Sequence, residues 1–243
     1  MMEASKNTDE TAEGSLNAEK LLQIGYDRVV ADEAIAGGGS TACVAIGKGN
    51  GSFQVANLGD SGFAQLRLNA VHYYSNPQTH AFNTPYQLSI IPPKILARSK
   101  IFGGQPLSDY PRDASVTDHQ VRHGDVLVFA TDGVWDNLSS IDVLRIVSRH
   151  MTSFRAWHVG EKGLEVSDHI RDLTIEGGIP KEHENTLQTL LAVTITGEAK
   201  LASLNTRRDG PFAREVKKFY PSEEYHGGKV DDICAVVALV VEE

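Results

Sequence analysis

Three carboxylates stand at the ends of apolar segments: Asp60 follows FQVANLG, Asp132 follows VLVFAT, and Asp231 precedes ICAVVALVV. If these segments are neighbouring strands of one antiparallel sheet, the end of an incoming strand and the start of an outgoing one share an edge, and the three acids converge there. Like charges so placed repel unless a cation intervenes. Asp136 extends the group. It lies four residues after Asp132 in TDGVWDN, so one turn of helix carries both carboxylates to one side. A carboxylate cluster without His or Cys suits a hard divalent ion such as Mg²⁺ or Mn²⁺ better than zinc. Gly-Asp and Asp-Gly are also common turn sequences, so the signal lies in the set of four acids and not in any one of them.

Other chemistry-bearing residues read differently. Gly59-Asp60-Ser61-Gly62 imitates the nucleophile sequence of trypsin-like proteases, but the first histidine is His72, so none precedes Ser61 in the chain order that mechanism uses. AGGGST lacks the lysine of a phosphate-binding loop and leads into a strand. His80 and FNTPYQL read as loop packing, Trp135 as the residue that holds the turn between two acids, and His119 and His123 as surface residues without a metal partner.

The elements that must position the acids follow from periodicity. Ser15 and the apolar spacing of Leu21, Leu22, Ile24, Val29 and Val30 predict a helix over residues 16–34. Thr41 to Gly47, Ser52 to Leu58 and Gly62 to Leu68 read as an antiparallel meander. Six prolines between Tyr74 and Arg122 predict a long shaped loop. Residues 125–131 read as a strand buried on both faces. Ser139 or Ser140 caps a helix to Met151 with Ile141, Leu144 and Val147 on its apolar face. Further helices are expected around Glu184 to Ala192 and Ala213 to Phe219, with breaks at Gly177-Gly178 and Gly227-Gly228. The β-branched run Ile233 to Val241 reads as a central strand.

With 243 residues, 41% of them hydrophobic, the chain can build one sizeable core. A net charge of −9 argues against a phosphate-tracking nucleic-acid surface. The longest apolar run is about half of what a bilayer span needs. Cys43 and Cys234 sit in apolar runs and read as reduced core residues.

ANLGDSG at 56–62, FATDGVWDN at 129–137 and KVDDICAVV at 229–237, in that order, resemble the metal-dependent, type 2C protein phosphatases. GGSTACVAI and HAFNTPYQLSIIPP at 80–93 are similar to the subgroup of fungal and animal mitochondrial phosphatases. The resemblance implies an α+β fold, an antiparallel β-sandwich flanked by helices. It implies hydrolysis of phosphoserine and phosphothreonine in phosphoprotein substrates by a metal-activated water, with two or three Mn²⁺ or Mg²⁺ ions. Asp132 and Asp231 would be metal ligands of the catalytic centre, with Asp60 and Asp136 joining Asp132 around an additional metal site. Asp232 would support these ligands from behind, and Gly133 would let the backbone turn closely beside the metals. No catalytic residue is assigned beyond the ligands. A monomer is expected, in mitochondria by the subgroup resemblance and otherwise in the cytoplasm.

Two features of the resembled pattern are not found: an early phosphate-holding Arg, and an Asp-Gly pair whose Asp bridges both ions. The segment before GGST reads YDRVVADEAIAG, where Asp32 is followed by Glu33 inside the expected helix and Asp27 and Arg28 read as solvated. Residues 1–15 are expected to be a disordered tail, and residues 16–243 a phosphatase-like domain truncated at its N terminus. A second functional reading is an inactive pseudophosphatase that binds proteins.

Overall fold

The structure is a computed structural model that describes residues 16–102, 106–176 and 186–242. The expected tail at 1–15, the Gly177-Gly178 break and Glu184 lie outside the described residues. The first helix, α1 (Ala18–Ala31), starts at Asn17, whose side chain accepts from the Lys20 amide at 2.8 Å; Asp32 is its extended C-cap. Short strands follow: β1 (Gly38–Ser40), β2 (Ala42–Gly47), β3 (Ser52–Leu58), β4 (Gly62–Arg67), β5 (Ala70–Tyr74), β6 (Thr79–Ala81), β7 (Thr84–Pro85) and β8 (Leu88–Ile90). Then come α2 (Pro93–Phe102), β9 (Ser115–Gln120), β10 (Val126–Ala130), the single turn α3 (Asp132–Trp135) and α4 (Ser140–Ser153). A hairpin of β11 (Trp157–Gly160) and β12 (Gly163–Val166) precedes α5 (Leu187–Ser203), α6 (Pro211–Phe219) and β13 (Ala235–Leu239).

Two antiparallel sheets form the centre, one in the order β13-β10-β4-β5 and one in the order β2-β3-β9. The alternation of strand side chains explains the layering. In β10, Val126 and Val128 face α4 and α5 within the larger core, while Leu127 joins Phe53, Val55 and Phe63 between the sheets. Phe63 stacks on its register partner Phe129 with ring centroids 5.4 Å apart. On the far side, Ala18 and Leu22 of α1 cover Ala56 of β3. The layers therefore run helix, sheet, sheet, helices, which is the sandwich expected from the sequence.

Five expectations need correction. The meander does not stay in one sheet: β3 pairs with β2 and β9, whereas β4 pairs with β10 and β5. The chain crosses between sheets at Gly59, whose φ of 98° favours glycine. The terminal strand β13 is an edge of its sheet among the described residues, and its alternate residues are exposed, Val236 at 60%. Its β-branched composition suits any half-buried pleated surface and does not encode sheet position. Cys234 is exposed at that edge, and only Cys43 is partly buried, its thiol pushed up to about 12 by burial. The proline-rich loop contains α2 and β9, because proline is tolerated at a helix's first turn and its last prolines precede β9. His119 is also not a free surface residue; it packs in the aromatic cluster of Phe53, Phe63 and Tyr73.

Ser139 is the cap of α4. Its Oγ accepts from the Asp142 amide at 3.2 Å while Asp142 Oδ2 accepts from the Ser139 amide at 3.1 Å. Val143, Leu144, Ile146, Val147 and Met151 form the buried face and Ile141 is exposed, a shift of the stripe from that expected. Ser139→Ala is expected to lower stability by about 1 kcal/mol, read as a reduced urea midpoint at unchanged slope.

Candidate metal centre

The sheet edge gathers the acids as their strand-end positions require. Ala130 at the end of β10 pairs with Gly62 at the start of β4 and with Ala235 at the start of β13. Asp60 before β4, Asp132 after β10 and Asp231 before β13 therefore leave the sheet on one side. The turn α3 places Asp136 one turn after Asp132, its amide donating to the Asp132 carbonyl at 2.7 Å. Oxygens of Asp132, Asp136 and Asp231 all lie within 4.8 Å of one another.

Lys229 was not singled out from the sequence, yet it sits at the centre of these three. Its Nζ is 2.6 Å from Asp136 Oδ2, 3.0 Å from Asp231 Oδ2 and 3.3 Å from Asp132 Oδ2. The buried Asn137 fixes it: Asn137 Nδ2 donates to the carbonyls of Gly133 and Lys229 at 2.9 and 2.8 Å, and the Lys229 amide donates to Asn137 Oδ1 at 2.9 Å. The one visible signal was a lone lysine two residues before Asp231, at the head of an acidic motif.

The electrostatics show a crowded anionic site. Burial first, then the neighbouring Asp132 and Asp60, push Asp136 up to about 6 despite the Lys229 contact. Asp60 is likewise raised, by burial and then by the charge of Asp132. Burial acts to raise Asp231 too, but the hydrogen bond from Lys229 and the Asp232 amide outweigh it and hold it low.

Trp135 is buried, donates from Nε1 to the Ala130 carbonyl at 2.9 Å and meets Tyr74 edge-on, so it holds the turn. A Cβ on Gly133 would lie 2.2 Å from the Asp232 carbonyl oxygen, so this close approach admits only glycine. Asp232 is exposed, its amide donates to Asp231 Oδ1 at 2.8 Å and its carbonyl accepts from Thr131 Oγ1 at 3.3 Å. His80 pairs with Asp109 at 3.0 Å and stacks on Tyr86, in keeping with its packing role. Asp27 and Arg28 are exposed on α1.

Beside the acids lies a cavity of about 350 Å³ lined by Asp60, Tyr74, Phe82, Asn83, Trp135, Asp136, Phe212 and Phe219. Its aromatic wall is held by contacts of Phe82 with Phe212 and Phe219. No helix among the described residues is long and apolar enough to cross a membrane.

Comparison with known proteins places these observations. The chain is 37% identical over 223 residues to the human protein phosphatase PTC7 homolog, covering 91% of this chain and 60% of that protein. It is 29% identical over 225 residues to the mitochondrial protein phosphatase 2C homolog 7 of Saccharomyces cerevisiae, covering 93% of this chain and 57% of that protein. No protein-family model matches the sequence. The chain thus spans between 57% and 66% of the length of such relatives. Among solved structures, the photosystem II phosphatase PBCP is similar in fold, with a TM-score of 0.64 at 22% identity over 92% of this chain and 70% of that one. Its ordered acidic motifs, their meeting at one sheet edge and these likenesses agree that the chain belongs to the type 2C protein phosphatase family.

Proposed function

We propose that the chain hydrolyses phosphoserine and phosphothreonine in proteins with the help of divalent ions, Mn²⁺ or Mg²⁺. The observation that carries this reading is the convergence of Asp132, Asp136 and Asp231 beside a cavity that Asp136 and Asp60 line. The donor set fits such ions: it is all carboxylate, its oxygens are close enough to share a cation, and its like charges need one. Asp132 and Asp231 would serve the catalytic centre, and Asp60 and Asp136 with Asp132 an accessory site. Bound there, divalent ions supply Lewis-acid polarisation of the phosphoryl group and acidify water.

The chain's own residues do the positioning. Asn137 ties the turn that carries Asp132 and Asp136 to the backbone that carries Lys229 and Asp231, so the two halves of the acid set move as one body. Trp135 pins that turn to the end of β10. The aromatic wall of Phe82, Phe212 and Phe219 excludes water on one side and offers an apolar surface to the peptide flanking a phosphorylated residue. Residues 16–243 are read as one monomeric unit. A mitochondrial location is supported by the yeast relative, which is named mitochondrial.

Purified chain is expected to release phosphate from phosphoserine and phosphothreonine peptides when Mn²⁺ or Mg²⁺ is added, and to stop in EDTA. Folded protein that binds the ions by calorimetry yet releases no phosphate would sink this reading and leave the protein-binding alternative.

A further inference from the structure

We infer that Lys229 is a built-in competitor for the divalent ion: its ammonium group neutralises the acid cluster and must be expelled before an ion can take the same oxygens. The inference rests on the metal-site reading above. Lys229 Nζ lies within 2.6–3.3 Å of one Oδ2 from each of Asp132, Asp136 and Asp231. A cation held by all three acids would draw on the same carboxylates. Mg²⁺ bonds carboxylate oxygens at about 2.0–2.1 Å. An ion at that distance from these oxygens would stand against an ammonium group that already occupies the space between them, and two cations that close repel strongly.

The backbone cannot relieve this, because Asn137 holds the Lys229 peptide by both its amide and its carbonyl. Only the flexible side chain can move. A second resting place is half-built on the cavity side. Asn83 Oδ1 is 3.4 Å from Nζ, and the Phe212 ring centroid is 4.9 Å away, within range of a cation–π contact. Expulsion therefore shifts the ammonium toward Asn83 and Phe212, at the wall of the cavity. Ion loading and the position of a positive charge at the cavity mouth become one event.

Two measurements on the full chain test this. By calorimetry, Lys229→Met is expected to bind Mn²⁺ at least about ten-fold more tightly than wild type, because the competing charge is gone. Lys229→Arg, which keeps the charge, should bind no more tightly than wild type. Equal or weaker binding by Lys229→Met would overturn the inference. On wild-type protein, acetylation by acetic anhydride read by mass spectrometry should rise several-fold at Lys229 on adding Mg²⁺, with the exposed Lys48 as internal reference. Unchanged labelling at ion concentrations that calorimetry shows to be bound would also overturn it, and this second measurement decides if Lys229→Met does not fold. Ion binding by neither wild type nor Lys229→Met would remove both this inference and the metal-site reading. Phosphate release with no Lys229 effect on ion affinity would remove this inference alone.

Discussion

Replacing Asp125 by alanine is expected to remove about 3–5 kcal/mol of stability, the cost of breaking a buried ion pair from one side. Its carboxylate is fully buried and accepts from four directions. Arg67 donates from Nε at 2.7 Å and from Nη2 at 2.7 Å, Gln65 from Nε2 at 2.8 Å, and the Arg122 amide at 3.0 Å. Gln65 and Arg67 belong to β4, and the same two side chains donate to the Gln120 carbonyl at the end of β9 in the other sheet. Asp125 therefore organises a polar rivet through the sandwich. Its loss leaves a guanidinium, an amide side chain and a backbone N–H short of partners in a largely dry place. Against a typical total of about 5–15 kcal/mol, that is a large share. Urea unfolding would measure it, with Asp118→Ala as the contrast. Asp118 pairs with Lys48 on the surface, and its loss should leave the urea midpoint essentially unchanged. A loss below about 1 kcal/mol at Asp125 would show that the network is dispensable.

For activity, the largest effect is expected from Asp132→Asn. The change keeps the side chain's shape but removes one of the three charges whose oxygens lie within 4.8 Å of one another. Lewis-acid stabilisation of a transferring phosphoryl group amounts to several kcal/mol. At about 1.4 kcal/mol per factor of ten, turnover should fall by roughly three orders of magnitude with the fold intact by circular dichroism. Asp232→Asn is the control, since Asp232 meets the site through its backbone carbonyl, and its turnover should stay within a few-fold of wild type. An Asp132→Asn variant with more than about a tenth of wild-type turnover would show that the acids do not hold the catalytic ions.

The acids were legible because they stand where regular strands end, and antiparallel pairing converts chain position into a shared edge. Asp136 was legible because helical spacing is short-range. Lys229 and Asn137 were not. Their importance comes from hydrogen bonds that span 92 and 97 positions of sequence, and no local periodicity reports such a contact. Strand existence was readable from composition, as in β10 and β13, but sheet order was not. Whether β3 continues into the sheet of β4 depends on the bend at Gly59, and the edge position of β13 depends on what pairs beside it. The helix within the proline-rich stretch was hidden because prolines mark helix starts as well as loops.

The separation of Lys229 from the acids it neutralises also sets a sequence in time. Asp60 and Asp132 are brought to one edge when β4 pairs with β10, a contact made without any residue after Asp132. Lys229 and Asp231 arrive only when the segment before β13 closes a loop of more than ninety residues. Closing so long a loop is slow relative to local pairing. During synthesis and refolding, the edge therefore passes through an interval in which carboxylates face one another without their lysine. Docking of β13 is the step that relieves that repulsion, so salt or divalent ions that screen the acids remove part of its drive and should slow it.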